Sequence, residues 1–242
     1  MQYHPEILEL HLSESDVQDP KAIVQAVREI KTTVPRVYLH HPSTFEGQYL
    51  DIISASSKRR DFYDWSTKNL IEICRETDSR TVIHANYAGS ESSDFGDSEK
   101  LEQVNERIRF FQGLGSEFLL WENSTEGIFS AQNPRWISEL VEPLQLQLCV
   151  DVSHVFLALN GDNAATLRIL NETKPYAKYY HVVDSMGNQH DGLPLGAGRI
   201  DWRSVKPYVV HQDFIFEIDL RDSKYSDCTP MIESAEYFRA LP

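Results

Sequence analysis

Short apolar runs rich in aliphatic and aromatic residues alternate along this chain with longer amphipathic stretches, and the rhythm holds from one end to the other. Runs at about 6–11, 36–40, 80–84, 117–122, 146–151, 178–183 and 213–219 have strand length and are bounded by polar or turn residues. Helices are predicted at about 20–32, 61–77, 99–114, 132–141, 163–173, 202–208 and 229–240. The stretch 99–114 shows the reason best: Leu101, Val104, Ile108, Phe111 and Leu114 form one stripe, with charges opposite. Asp201 before Trp202 offers an N-cap side chain, and Asn133-Pro134 before Arg135 offers an N1 proline.

Strict strand–helix alternation argues for a parallel sheet covered on both faces, either closed as a barrel or open and doubly wound. Where the polar residues fall selects the barrel. An open sheet gathers its site at one switch point, whereas here nearly every strand end from His40 onward carries a candidate. The expected fold is therefore an α/β parallel (β/α) TIM-type barrel. It has about seven strands where such a barrel uses eight. No Pro/Ser-rich linker or shift of composition divides the chain, so a single domain over 1–242 is expected.

Four of the apolar runs end in a metal-type ligand: Phe118-Leu119-Leu120-Trp121-Glu122, Leu146-Gln147-Leu148-Cys149-Val150-Asp151, Tyr179-Tyr180-His181 and Phe214-Ile215-Phe216-Glu217. Positions 122, 151, 181 and 217 lie 29, 30 and 36 residues apart, the length of one β/α unit. Such units bring successive strand ends to one rim, so the four can converge on one cation. Oxygen and imidazole donors without a soft ligand suit Mn, Mg, Zn or Co. A single strand-end carboxylate is ordinarily a solvated group or a helix cap, the alternative we keep for Asp184 and Asp219. Glu122 differs, because a carboxylate ending a core strand is costly unless paired or metal-bound.

The bulk properties narrow the partners. A formal net charge of −14 with no Lys/Arg stripe argues against nucleic acid. Cys74, Cys149 and Cys228 are odd in number and widely spaced, which fits reduced thiols. No apolar stretch approaches bilayer-spanning length, and the first residues lack a charged and then apolar leader, so a cytoplasmic protein with no membrane partner is expected. A homo-oligomer stays open.

In order, Leu39-His40-His41-Pro42, Val82-Ile83-His84, Leu120-Trp121-Glu122-Asn123, Val150-Asp151-Val152-Ser153-His154, His181-Val182-Val183-Asp184, the run from Leu193 to Trp202 and Phe216-Glu217 resemble motifs of the xylose isomerase-like TIM-barrel superfamily. That group includes sugar isomerases and epimerases, dehydratases and type IV apurinic endonucleases. The resemblance implies that Glu122, Asp151, His181 and Glu217 hold one divalent ion, and that Glu122 and Glu217 form the acid/base pair. It implies that His84 and His154 contact substrate or ligate further metal, and that His40 is another metal position. His40 is favoured over His41 by register. Asp184 and His190 are kept as candidates for substrate or a second ion.

Two departures stand out. The endonucleases carry an Asp-x-His pair where this chain has His190 and Gly192, which weakens the case for a three-metal cluster. Ile7-Leu8-Glu9-Leu10-His11 resembles the family's second barrel strand, so the first β/α unit is absent and a sheet edge needs a cover from a loop, a helix or a partner chain. His4, His11 and His211 are expected to be structural or exposed, and the Leu195-Gly196-Ala197-Gly198 run to be a turn that needs glycine.

The expected activity is that of a divalent-metal-dependent isomerase or epimerase of a small polyhydroxylated carbonyl compound. A carboxylate removes the proton beside a metal-polarised carbonyl. Return of the proton to the opposite face gives epimerisation, return to the neighbouring carbon gives isomerisation, and loss of a β-hydroxyl gives dehydration. The alternatives are a sugar-acid or inosose dehydratase, an endonuclease-like phosphodiester hydrolase, and a non-catalytic barrel binding a sugar or a partner protein.

Overall fold

The computed structural model describes residues 4–87, 91–221 and 224–242. Seven parallel strands, β1 (Ile7–His11), β2 (Arg36–His40), β3 (Arg80–His84), β4 (Leu119–Glu122), β5 (Leu148–Asp151), β6 (Ala177–His181) and β7 (Asp213–Ile215), lie side by side in chain order. The helices α1 (Pro20–Ile30), α2 (Ser57–Thr77), α3 (Ser98–Gly115), α4 (Val152–Ala158), α5 (Asn163–Thr173), α6 (Trp202–Val209) and α7 (Thr229–Ala240) connect and follow them. The expected barrel of about seven strands is what forms.

Period-two alternation sorts each strand into two faces. Leu39, Ile83, Trp121, Val150 and Tyr180 pack outward in the main core. Tyr38, Val82, Leu120, Cys149 and Tyr179 pack together as a separate cluster, with Ile7 and Ile215 against it. This second cluster is a dry layer filling the barrel. Two residues further along the same seven strands stand Glu9, His40, His84, Glu122, Asp151, His181 and Glu217. Every inward apolar side chain is thus followed by an inward ionisable one, and the polar layer sits at the carboxyl end.

Three details depart from expectation. The strand foreseen over 213–219 stops at Ile215, because its sole partner β6 ends at His181, which pairs with Ile215. The helix foreseen over 132–141 is a π-helical turn at Trp136–Val141 running into a short turn at Glu142–Leu144, with Asn133 Oδ1 accepting from Arg135 N at 3.0 Å. A hairpin of Thr44–Phe45 and Gln48–Tyr49 and the helix α4 had not been foreseen.

The sheet edge also resolves differently from expectation. No backbone ladder joins β1 to β7 among the described residues, yet their Cα atoms come within 8 Å, closer than the two strand spacings of ~9.6 Å that an intervening strand would need. Side chains close the seam. Arg36 pairs with Asp213, Tyr38 Oη donates to Asp213 Oδ2 at 2.6 Å, and Glu9 and His11 reach across to His181 and Glu217.

Past β6 the chain folds back on Asp184. Its carboxylate accepts from Ser185 N (2.9 Å), Gly196 N (2.8 Å) and Ile200 N (3.2 Å), and its backbone bridges to Leu193. Gly196 has φ +85°, and a Cβ on Gly198 would overlap the Asp184 carboxylate and lie 2.5 Å from Ser185 O, so the turn does require its glycines. Asp184 therefore organises a loop rather than facing the lumen. Replacing it with Ala leaves three donors without their acceptor and is expected to cost about 2–3 kcal/mol in urea unfolding, with cation affinity unchanged. An unaltered unfolding midpoint would contradict this role.

Candidate metal centre

Glu122 ends β4 with its side chain 1% exposed, at the hub of four histidines. Oε2 lies 2.8 Å from His84 Nε2 and 3.2 Å from His40 Nε2; Oε1 lies 3.2 Å from His181 Nδ1 and 3.4 Å from His154 Nδ1. Each ring comes from a different strand end or the helix after one, which is why no local stretch of sequence displays the cluster. Ligand atoms of Glu122, Asp151, His181 and Glu217 all lie within 4.8 Å of one another.

Local structure fixes these side chains. Asp151 is both the last residue of β5 and the N-cap of α4, its Oδ1 accepting from His154 N at 2.7 Å. The same turn carries His154, whose Nδ1–H donates to Asn123 O at 2.8 Å, leaving Nε2 for the lumen. Asn123 also accepts from Asp151 N at 3.0 Å and donates to Asp151 O at 3.1 Å, tying the ends of β4 and β5 together. His40 Nδ1–H donates to His41 O at 2.8 Å, which leaves the Nε2 edge of the ring facing Glu122 Oε2 at 3.2 Å.

Burial opposes charge at every one of these groups; at Glu122, Glu217 and His181 the neighbours overcome it, and at His84 and Asp151 burial prevails. Glu122 is held well below the usual carboxylate range, despite burial, by His84 and His181. Glu217 is lowered likewise, against burial, by His181 and His11. Burial pushes His84 down to about 4, with Glu122 opposing and His40 reinforcing. His181 is carried well above the imidazole range, against burial, by Cys149 and by the carboxylates of Glu9, Glu217 and Glu122. Asp151 is raised by burial and by the charges of Glu217 and Glu122.

Asp151 Oδ2 is buried with no hydrogen-bond partner in a carboxylate-rich site. An acceptor in that position is what a cation satisfies, and the Glu, Asp, His, Glu donor set matches a hard or borderline divalent ion. The residues fit such an ion.

Of the remaining sequence candidates, His40 and His84 share a donor group with Glu122, and His154 and His190 share one with Asp151. His190 comes from the loop after β6, its ring centroid 4.9 Å from that of His154. Asp184 is not brought to the site, and Asp219 pairs with Arg221. His41 turns away, with Nε2 2.8 Å from Ser66 Oγ. Two residues were missed. His11, expected to be structural or exposed, is exposed, and it also lines the lumen, stacks on His40 at 4.1 Å and meets Glu217 Oε1 at 3.0 Å. Glu9 lies beneath it, 3.0 Å from His181 Nε2. The period-two pattern of Ile7-Leu8-Glu9-Leu10-His11 places both on the inward face and was the signal that could have found them.

The lumen above these groups is a cavity of about 280 Å³, lined by His11, His40, His84, His154, Glu122 and Glu217 and by the ring of Tyr49 from the hairpin. That volume is at the small end of ligand pockets.

The chain belongs to the xylose isomerase-like TIM barrel family, whose model matches residues 4–241. Solved structures share the fold. A D-tagatose 3-epimerase-like protein aligns at 16% identity over 97% of this chain and 87% of its own, with a TM-score of 0.71. The TTHB071 protein from Thermus thermophilus, soaked with ZnCl2, aligns at 19% identity over 96% and 87%, with a TM-score of 0.66. D-psicose 3-epimerase from Clostridium cellulolyticum, with D-tagatose, aligns at 12% identity over 98% and 89%, with a TM-score of 0.61. A sequence search of curated proteins finds no match.

The geometry predicts that Asp151→Asn, which keeps the N-cap acceptor but removes the charge, leaves the thermal midpoint near wild type. Affinity for Mn2+ or Co2+ in calorimetric titration should drop at least about tenfold, the low end of what losing even an outer partner costs. Unchanged affinity would remove Asp151 from the ligand set.

Proposed function

We propose that this protein is a divalent-metal-dependent isomerase or epimerase of a small sugar or sugar-derived carbonyl compound. The observation that carries the reading is the convergence of Glu122, Asp151, His181 and Glu217 within 4.8 Å, with Glu122 and Glu217 lining a small lumen. An ion held by these four supplies Lewis-acid polarisation of a substrate carbonyl.

The protein's own residues divide the remaining work. Glu217 is the most exposed of the four ligands, its side chain 23% accessible, so it is the carboxylate best placed to take the proton next to the carbonyl. Glu122 is ionised and held by four imidazoles, and it can return the proton from the opposite side. His40, His84 and His154 orient hydroxyls, and Tyr49 and Tyr87, with ring centroids 5.4 Å apart, wall the lumen and keep water out. Dehydration uses the same first step and differs only in whether a β-hydroxyl leaves.

A second reading has its own support. His40, His84 and Glu122 form one further potential ion site, and Asp151, His154 and His190 another, as a multi-ion phosphodiester hydrolase requires. The net charge of −14 works against an approach by nucleic acid.

The two readings separate in D2O. With Mn2+ or Co2+ and a panel of ketoses and keto acids, the isomerase reading expects metal-dependent uptake of deuterium at carbon, reduced roughly 10²–10⁴-fold in Glu217→Gln. Phosphodiester cleavage without exchange would overturn it in favour of the hydrolase.

A further inference from the structure

We propose that Glu9 is a positioning residue for the metal centre: from β1 it accepts a hydrogen bond from His181 Nε2 across the barrel seam and so presents His181 Nδ1 to the cation. The inference rests on the metal-dependent reading above. Glu9 is fully internal, with a side chain 1% exposed, and it does not line the lumen, so it has no access to substrate. An ionisable group buried this deeply requires partners. Glu9 Oε2 lies 3.0 Å from His181 Nε2 in hydrogen-bond geometry, while Oε1 is buried 3.3 Å from His11 Nε2 without a hydrogen bond, so His181 is its hydrogen-bonded partner.

The opposite edge of the His181 ring faces the ligand cluster, with Nδ1 3.2 Å from Glu122 Oε1 and 3.1 Å from Glu217 Oε2. A neutral imidazole has one proton and one lone pair. If the proton were on Nδ1, it would point at the cation, and the Nε2 lone pair would point at the Glu9 carboxylate. A carboxylate only accepts; with Glu122 and Glu217 engaged by the ion, Glu9 is the carboxylate left to take a proton from the ring, so it selects the Nε2–H form and turns the lone pair of Nδ1 toward the ion. The same bond fixes the plane of the ring and makes it a stronger donor, as carboxylates behind metal-bound histidines do. Removing such an outer partner ordinarily weakens metal affinity about 10–100-fold.

Glutamine at position 9 keeps the shape but lets the amide turn its NH2 to His181, which releases the choice of tautomer. Cobalt titrations of the full-length protein, followed by absorbance, should therefore show Glu9→Ala weakened about 10–100-fold and Glu9→Gln weakened in the same direction by less. NMR of nitrogen-labelled, cadmium-loaded wild type should show metal coupling to His181 Nδ1 with the proton on Nε2. Thermal unfolding in chelator identifies any variant that fails to fold, and Glu9→Gln preserves the packing if Glu9→Ala does not. Wild-type cobalt affinity in folded variants, or cadmium coupled to Nε2, overturns the proposal while leaving the isomerase reading intact. A wild-type protein that takes up no cobalt overturns both.

Discussion

A closed ring of strands turns half of its side chains into a space with little room for water, and this chain places ionisable groups in that space on all seven strands. Such a layer is stable only if charges alternate and each polar atom finds a partner. Glu122 meets that demand as an acceptor surrounded by four imidazoles. The dry layer of Tyr38, Val82, Leu120, Cys149 and Tyr179 below it holds the strands at fixed spacing and denies the charges solvent from underneath. Function and stability are therefore opposed within one layer, and a cation bound there would relieve the conflict by giving the carboxylates a common partner.

Most of the barrel is legible in the sequence because each strand combines a short apolar run with a polar end, a local signal. The candidates at 122, 151, 181 and 217 could be named for the same reason: each terminates a short apolar run, fully buried before 122 and 151 and partly buried before 217. What escaped was set by longer-range contacts. The helix α4 begins at Val152 immediately after Asp151 ends β5, leaving no intervening turn residues to announce it. The hairpin at 44–49 is only two residues long on each side, although Glu46 (φ +50°) and Gly47 (φ +72°) form a recognisable tight turn.

Asp184 shows the converse case. Its position after His181 looks like that of a ligand, but the polypeptide returns at 193–200 and adds the N–H groups of Gly196 and Ile200 to that of Ser185, so the carboxylate is used up by its own loop. No spacing rule distinguishes a carboxylate that will find a metal from one that will find backbone amides, because the deciding contacts come from residues up to 16 positions away.

The seam links the architecture to the site. In a barrel of eight strands another strand would stand between the first and the last of the seven seen here. With β1 and β7 in direct approach, side chains from β1 reach His181 and Glu217 without an intervening ladder. Through that closure Glu9 and His11 enter the polar layer beside His181 and Glu217. The strand that forfeits backbone pairing thus contributes charge instead. The same carboxylate and imidazoles that join the two edges are the ones that orient His181 and Glu217, so the geometry of closure and the geometry of the centre are set by one group of contacts.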